Sequence, residues 1–236
     1  HQANPRVTAE KLSAEIDASL RELDTDYIDV FHLHGVHPEH YDHALNVLAP
    51  VMMKAREAGK IRFLGITETS PNDHAQTMLN RAAGDGCWDV MMLGFNMMHQ
   101  VARSGLLPKT MENNIGTLIM FAVRNLFSVP GKLQQTMRDL AAEDRVPGWL
   151  AETDDPLGFL VHPEDGGAES VIEAAYRYAR HEPGADVVLF GTGKIGHLEA
   201  NIASILKPPL PAADTARLAQ LFSHLQGVGL DLPGPA

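Results

Sequence analysis

The chain has 236 residues, 44% hydrophobic and 21% charged, the composition of an ordinary globular protein long enough to bury a proper core. Nineteen Lys and Arg against 30 Asp and Glu leave a net charge of −11; such a surface repels polyanions, and no local basic patch argues for nucleic-acid binding. A single cysteine, Cys87, excludes an intramolecular disulfide and any multi-cysteine zinc or iron–sulfur site.

Helix and strand signals alternate along the sequence. "TAEKLSAEIDASLREL" has Thr8 as a cap and Leu12, Ile16, Leu20 and Leu23 at helical spacing. "YIDVFHLH" reads as a strand, and "YDHALNVLAPVMMKAREAG" as a helix that Pro50 should kink or split and Gly59 should end. "KIRFLGIT" is a second strand, and "SPNDHAQTMLNRAAG" a capped helix with Pro71 at its first position. Strand "DVMMLGF", a weaker helix over 103–113, strand "IGTLIMF" and helix "KLQQTMRDLAAE" come next. Helix "GAESVIEAAYRYARH", strand "DVVLF", helix "IGHLEANIASIL" and an amphipathic helix over 211–225 complete the series.

Five strands with nearly continuous apolar cores, each followed by a helix, argue for a parallel sheet or barrel. The irregular stretch 144–167 is too long for a simple connection. Trp149 and Phe159 either contact a ligand from it or pin it to the body. No apolar run reaches the ~18 residues of a membrane span and no signal-peptide pattern is present, so the cytoplasm is the default location. The opening "HQANPRVTAEKL" reads as the middle of something, and a truncation is expected.

Two motifs carry chemistry. "VFHLHGVHPEHYDH" holds five of the twelve histidines, His32, His34, His37, His40 and His43. Strand alternation puts His32 and His34 on one face and leaves the other three in a loop and first helical turn. "GTGKIG", residues 191–196, matches the dinucleotide fingerprint in letters, but no second strand or acidic residue follows as a Rossmann unit requires. Its physics still suits an anion: backbone N–H groups at a helix N-terminus, with Lys194 beside them.

Three stretches together resemble the aldo-keto reductase family: "SLRELDTDYIDVFHLHG", "AREAGKIRFLGITETS" and "VVLFGTGKIGHLEANI". They are similar to the fourth-strand, fifth-strand and eighth-strand segments of that family, and the resemblance spans residues 8–225. It implies a (β/α)8 TIM barrel, of which about five βα units are present, so that residues 1–236 form a single incomplete barrel domain. It also implies NADPH as cofactor and hydride transfer to or from a small carbonyl compound or alcohol. His34 falls on the catalytic histidine. Thr67 and Glu68 fall where the nicotinamide carboxamide is held, Phe121 near the aromatic that stacks on nicotinamide, and Arg124 close to the pyrophosphate. Gly191, Thr192, Gly193, Lys194, His197 and Asn201 line the adenosine-phosphate segment.

There are departures from that pattern. Glu68 replaces an Asn, and a carboxylate cannot donate to an amide oxygen. Met92 stands for a Gln, His197 for an Arg and Ala200 for an acid. The first three units, with the Asp, Tyr and Lys of the catalytic tetrad, are missing. Of the tyrosines, Tyr27 enters a strand from its far end, Tyr176 and Tyr178 lie on a helix, and only Tyr41 could stand near His34. Two histidines with Glu68 could bind a metal, so a metal-assisted or cofactor-independent lyase or hydrolase is an alternative, as is a non-catalytic homologue.

Overall fold

A computed structural model describes residues 7–70 and 72–230. Helix α1 (Ala9–Leu23) starts where the sequence places it, with the Thr8 hydroxyl accepting the Lys11 N–H at 3.2 Å. Leu12 and Ile16 are buried beneath it, but Leu23 is exposed, because the helix has turned its last residue away from the core. Strand β1 (Ile28–Val36) follows. The next helical stretch is interrupted by a π-helical segment ahead of Pro50. Residues Tyr41–His43 (α2) run into a π-helical segment, Ala44–Leu48, and then into α3 (Ala49–Glu57), with Pro50 in the first turn of α3. The wider π turn, closed by the Ala49 N–H on the Ala44 carbonyl, accommodates a residue that has no N–H to give. Gly59, at φ +75°, reverses the chain into strand β2 (Ile61–Glu68).

The helix expected from Ser70 is shorter than the sequence suggests: α4 spans only Thr77–Ala82. Asp73, not Ser70, caps it, accepting the Thr77 N–H (2.9 Å), the Thr77 hydroxyl (2.8 Å) and the Met78 N–H (2.9 Å). The Ser70 hydroxyl is instead committed to the Glu68 carboxylate, and Pro71 lies outside the described residues. Strand β3 (Val90–Gly94), helix α5 (Leu106–Glu112) and strand β4 (Gly116–Met120) come next, each within the expected stretch. Then follow α6 (Asn125–Ser128), α7 (Lys132–Ala142), α8 (Trp149–Glu152) and α9 (Val171–Arg180). Strand β5 is trimmed to Val187–Val188, and α10 (Ile195–Leu206) and α11 (Ala212–Phe222) complete the order. The strands lie in one sheet in the order β1-β2-β3-β4-β5.

The chain divides into two compact units. The first holds residues 1–93 and 105–118, the second 94–104 and 119–236. In the first, β1 and β2 pair in parallel, as do β2 and β3, with Leu33 opposite Ile66 and Ile66 opposite Met91. These three are buried on one face, and each such side chain contributes about 1.5–3 kcal/mol. On the other face His32 lies opposite Gly65. A Cβ at Gly65 would stand 2.3 Å from the imidazole, so only glycine lets the ring lie flat on the neighbouring strand.

The second unit has its own core, with Phe95, Met137, Leu150, Leu160, Leu218 and Phe222 buried. Arg177 on α9 is buried and donates to the Gly166, Gly167, Pro208 and Pro209 carbonyls and to Glu173. The stretch 144–167 is not structureless: it contains α8 and two 3₁₀ turns, Gly158–Leu160 and Pro163–Asp165. The Arg217 guanidinium sits 4.0 Å from the Phe159 ring centre and 5.4 Å from that of Trp149, and the His162 ring meets Asp214 at 2.8 Å. Both aromatic residues are therefore held against α11.

Candidate active site

Within the first unit, the end of β1 and the end of β2 build a small polar cluster. The bulge between Leu33 and Val36 brings the Gly35 N–H to the Thr67 hydroxyl at 2.7 Å. The same hydroxyl oxygen lies 3.1 Å from His34 Nδ1. The His34 ring is exposed, whereas Thr67 is buried. Glu68 is buried at 3% exposure, and its Oε1 accepts the Ser70 hydroxyl at 2.8 Å and the Gln76 amide at 3.5 Å. Thr67 and Glu68 therefore spend polar atoms inside their own unit. Met92 lies opposite Thr67 on β3.

The tyrosine nearest in sequence does not serve this cluster. Tyr41 is fully buried; its hydroxyl donates to Asp85 at 2.5 Å and accepts the Trp88 N–H at 3.0 Å. Burial, with the Asp85 contact, raises its pKa far above the ordinary phenol range. The loop histidines are occupied locally: His43 bonds the Val7 carbonyl at 2.9 Å, and the His37 and His40 rings lie 5.5 Å apart. Among the described residues no group of three His, Cys, Asp or Glu is placed to hold a metal ion.

Within the second unit lies a cavity of about 870 Å³. Phe121, Arg124, Gly191, Thr192, His197 and Asn201 line it, six of the residues expected to hold a cofactor. Gly193 and Lys194 stand in the exposed loop at the foot of α10, where the Lys194 N–H donates to the Thr192 hydroxyl at 3.2 Å. Phe121 ends β4 at φ +68°, a left-handed conformation that a bulky side chain rarely takes, and the Arg124 guanidinium lies 5.0 Å from its ring centre.

Other lining residues had no local sequence signal. Asn125, Ser128, Ser170, Tyr176, Phe190 and Ser204 come from four separate segments that only packing brings together. Ser170 was readable as the start of α9, which it caps through the Glu173 N–H at 3.2 Å. Tyr176, expected away from the site on its helix, turns toward Phe190 with ring centres 6.0 Å apart. A cavity with aromatic faces, hydroxyls, amides and one guanidinium fits a ligand that has both rings and polar or anionic groups.

The profile of the Aldo/keto reductase family matches residues 1–222. The chain belongs to the aldo/keto reductase family. The aldo-keto reductase YhdN of Bacillus subtilis is 29% identical over 201 residues, covering 80% of this chain and 57% of its own length. L-galactose dehydrogenase of Arabidopsis thaliana is 23% identical over 226 residues, covering 94% and 66%. The chain thus spans between 57% and 66% of the length of these two aldo/keto reductase relatives. A solved aldo-keto reductase of Bacillus halodurans in its holo form superposes with a TM-score of 0.60 at 19% identity, over 91% of this chain and 68% of that one. One from Klebsiella pneumoniae in complex with NADPH gives 0.61 at 18% identity, over 92% and 66%. These likenesses establish the aldo/keto reductase fold. Among the described residues no helix is long and apolar enough to cross a membrane.

Proposed function

We propose that the chain is the fourth to eighth βα units of an aldo-keto reductase barrel, and that it serves an NADPH-dependent carbonyl reductase or alcohol dehydrogenase acting on a small aldehyde, ketone or alcohol. The observation that carries this reading is the second unit's cavity, where residues from β4, the loop after it and the segment 191–201 meet around one volume. NADPH, when bound, supplies the hydride. Phe121, with Tyr176 and Phe190, offers ring faces, while Arg124 suits the phosphates. His197 and Asn201, one turn further along α10, can reach the adenosine end.

His34 is the residue assigned to the substrate carbonyl. The Thr67 hydroxyl oxygen accepts the Gly35 N–H and lies 3.1 Å from His34 Nδ1, and we assign its own hydrogen to that nitrogen. That leaves the ring proton on Nε2, where it can donate to a carbonyl oxygen. Thr67 then acts by fixing a tautomer. The proton that completes alcohol formation must come from a group other than Tyr41, whose hydroxyl hydrogen is given to Asp85.

Titration of the protein with NADPH, followed by its fluorescence, tests the reading. We expect binding that weakens at least ~10-fold in Arg124→Ala, the loss of one charge-assisted phosphate contact worth about 1.4 kcal/mol or more. No binding, or equal binding by wild type and R124A, defeats it.

A further inference from the structure

Among the described residues no carboxylate lines the cavity of the second unit, although the chain carries a net charge of −11. Two lining side chains can bear positive charge, Arg124 from the loop after β4 and His197 from the first turn of α10. The third ionisable lining group is Tyr176 on α9, whose hydroxyl burial pushes up to about 12, so it stays neutral between pH 5 and 8. A guanidinium keeps its charge throughout that range, whereas an imidazole changes charge within it. The charge on the cavity wall is therefore constant at Arg124 and variable at His197. Charges on the neighbouring elements are engaged elsewhere. On α9, which packs against α10, Glu173 meets Arg177 at 3.0 Å and Lys207 at 2.7 Å, Arg177 is buried among carbonyls, and Arg180 is exposed at the helix end. Lys207, just after α10, also holds Glu169 at 2.8 Å. On α10 itself Lys194 stands three residues before His197, and Glu199, two residues after it, lies on another face. His197 is exposed and makes no ion pair among the described residues.

We propose that His197 makes the affinity of this cavity for a phosphate-bearing ligand depend on pH. With the imidazole charged, cations from two walls of the cavity face the ligand; with it neutral, Arg124 acts alone. For the cofactor this rests on the NADPH reading above. The sign follows from the charge: protonation adds an attraction, so the contribution of His197 is present at pH 5.5 and is lost toward pH 8. Water and salt screen an exposed cation, which limits the change to about 3- to 5-fold in affinity at low ionic strength. A ring that served only to fill space would contribute the same factor at every pH.

The test titrates the wild type, His197→Asn and His197→Arg with NADPH in low salt at pH 5.5 and at pH 8. Ligand phosphates gain and lose protons in the same range, but identically for the three proteins, so the ratio of their dissociation constants isolates the side chain. H197N should bind about 3- to 5-fold more weakly than wild type at pH 5.5 and equally at pH 8. H197R, whose charge is permanent, should match wild type at pH 5.5 and bind about 3- to 5-fold more tightly than it at pH 8. A ratio of H197N to wild type that is the same at both pH values overturns the proposal, and so does an H197R that behaves as H197N. The same ratios are measured with inorganic pyrophosphate by calorimetry, which separates this proposal from the cofactor reading. If NADPH does not bind but the pyrophosphate ratios change with pH as expected, the cofactor reading fails and the pH-dependent anion site stands. If neither ligand binds, both readings fall.

Discussion

Phe121 combines a strained backbone with a place on the cavity wall. A side chain held at positive φ costs on the order of 1–3 kcal/mol relative to an ordinary conformation, and the ring it positions faces the cavity beside Arg124. Phe121→Gly removes the strain but frees the unfolded chain by about 0.5–1 kcal/mol. The variant should melt no lower than wild type while its NADPH dissociation constant rises at least ~10-fold, the loss of a stacking contact. A lower Tm with unchanged affinity would make the ring a purely structural element. His32 gives a second readout. Burial, reinforced by the charge of His34, disfavours its protonated form and lowers its pKa in the folded state. The stability it contributes is therefore complete above the unfolded pKa of about 6.5 and is lost as pH falls below it. Between pH 8 and pH 5.5 the wild type should lose more Tm than His32→Gln; equal losses count against the assignment. Burial and Asp85 push the Cys87 thiol up to about 11, which keeps it from the thiolate form.

At the scale of elements, helix existence was legible and helix ends were not. The apolar spacing of α1, α7 and α9 located them, because each buries one stripe. The start of α4 was misplaced because Ser70 and Asp73 are both competent caps, and only the buried Glu68 decides which one is free to cap. Pro50 signalled a break that a π turn absorbs. Arg177 was invisible in function and is central in structure, since one guanidinium ties the residues before α9 to the residues after α10. Arg177→Met leaves Glu173 buried with less compensation and four carbonyls short of a donor. Loss of one partner of a buried pair costs about 3–5 kcal/mol, so Tm should fall by roughly 10 °C. A fall under about 2 °C would show that Lys207, which also contacts Glu173, suffices alone.

At the scale of the molecule, the net charge of −11 and the proposed binding of a phosphate-bearing cofactor are reconciled once charge is resolved in space. Arg124 lines the cavity, and a cation that near a ligand outweighs distant screened carboxylates. The measurement of NADPH affinity belongs here, since it reads what a large ligand does to the folded unit.

The order of strands and helices, the parallel pairing of the first three strands and the family were determined by the sequence alone. Periodicity and motif order are local properties, and they survive whatever the chain packs against. Tertiary structure decided the rest: that the Tyr41 hydroxyl is buried against Asp85, that the Thr67 hydroxyl lies 3.1 Å from His34, that Tyr176 and Phe190 join the cavity, and that Ile195 and Leu206 of α10 are exposed. Each of these is a relation between residues far apart in the chain. Burial and partnership are set by which surfaces meet, and no local pattern records that.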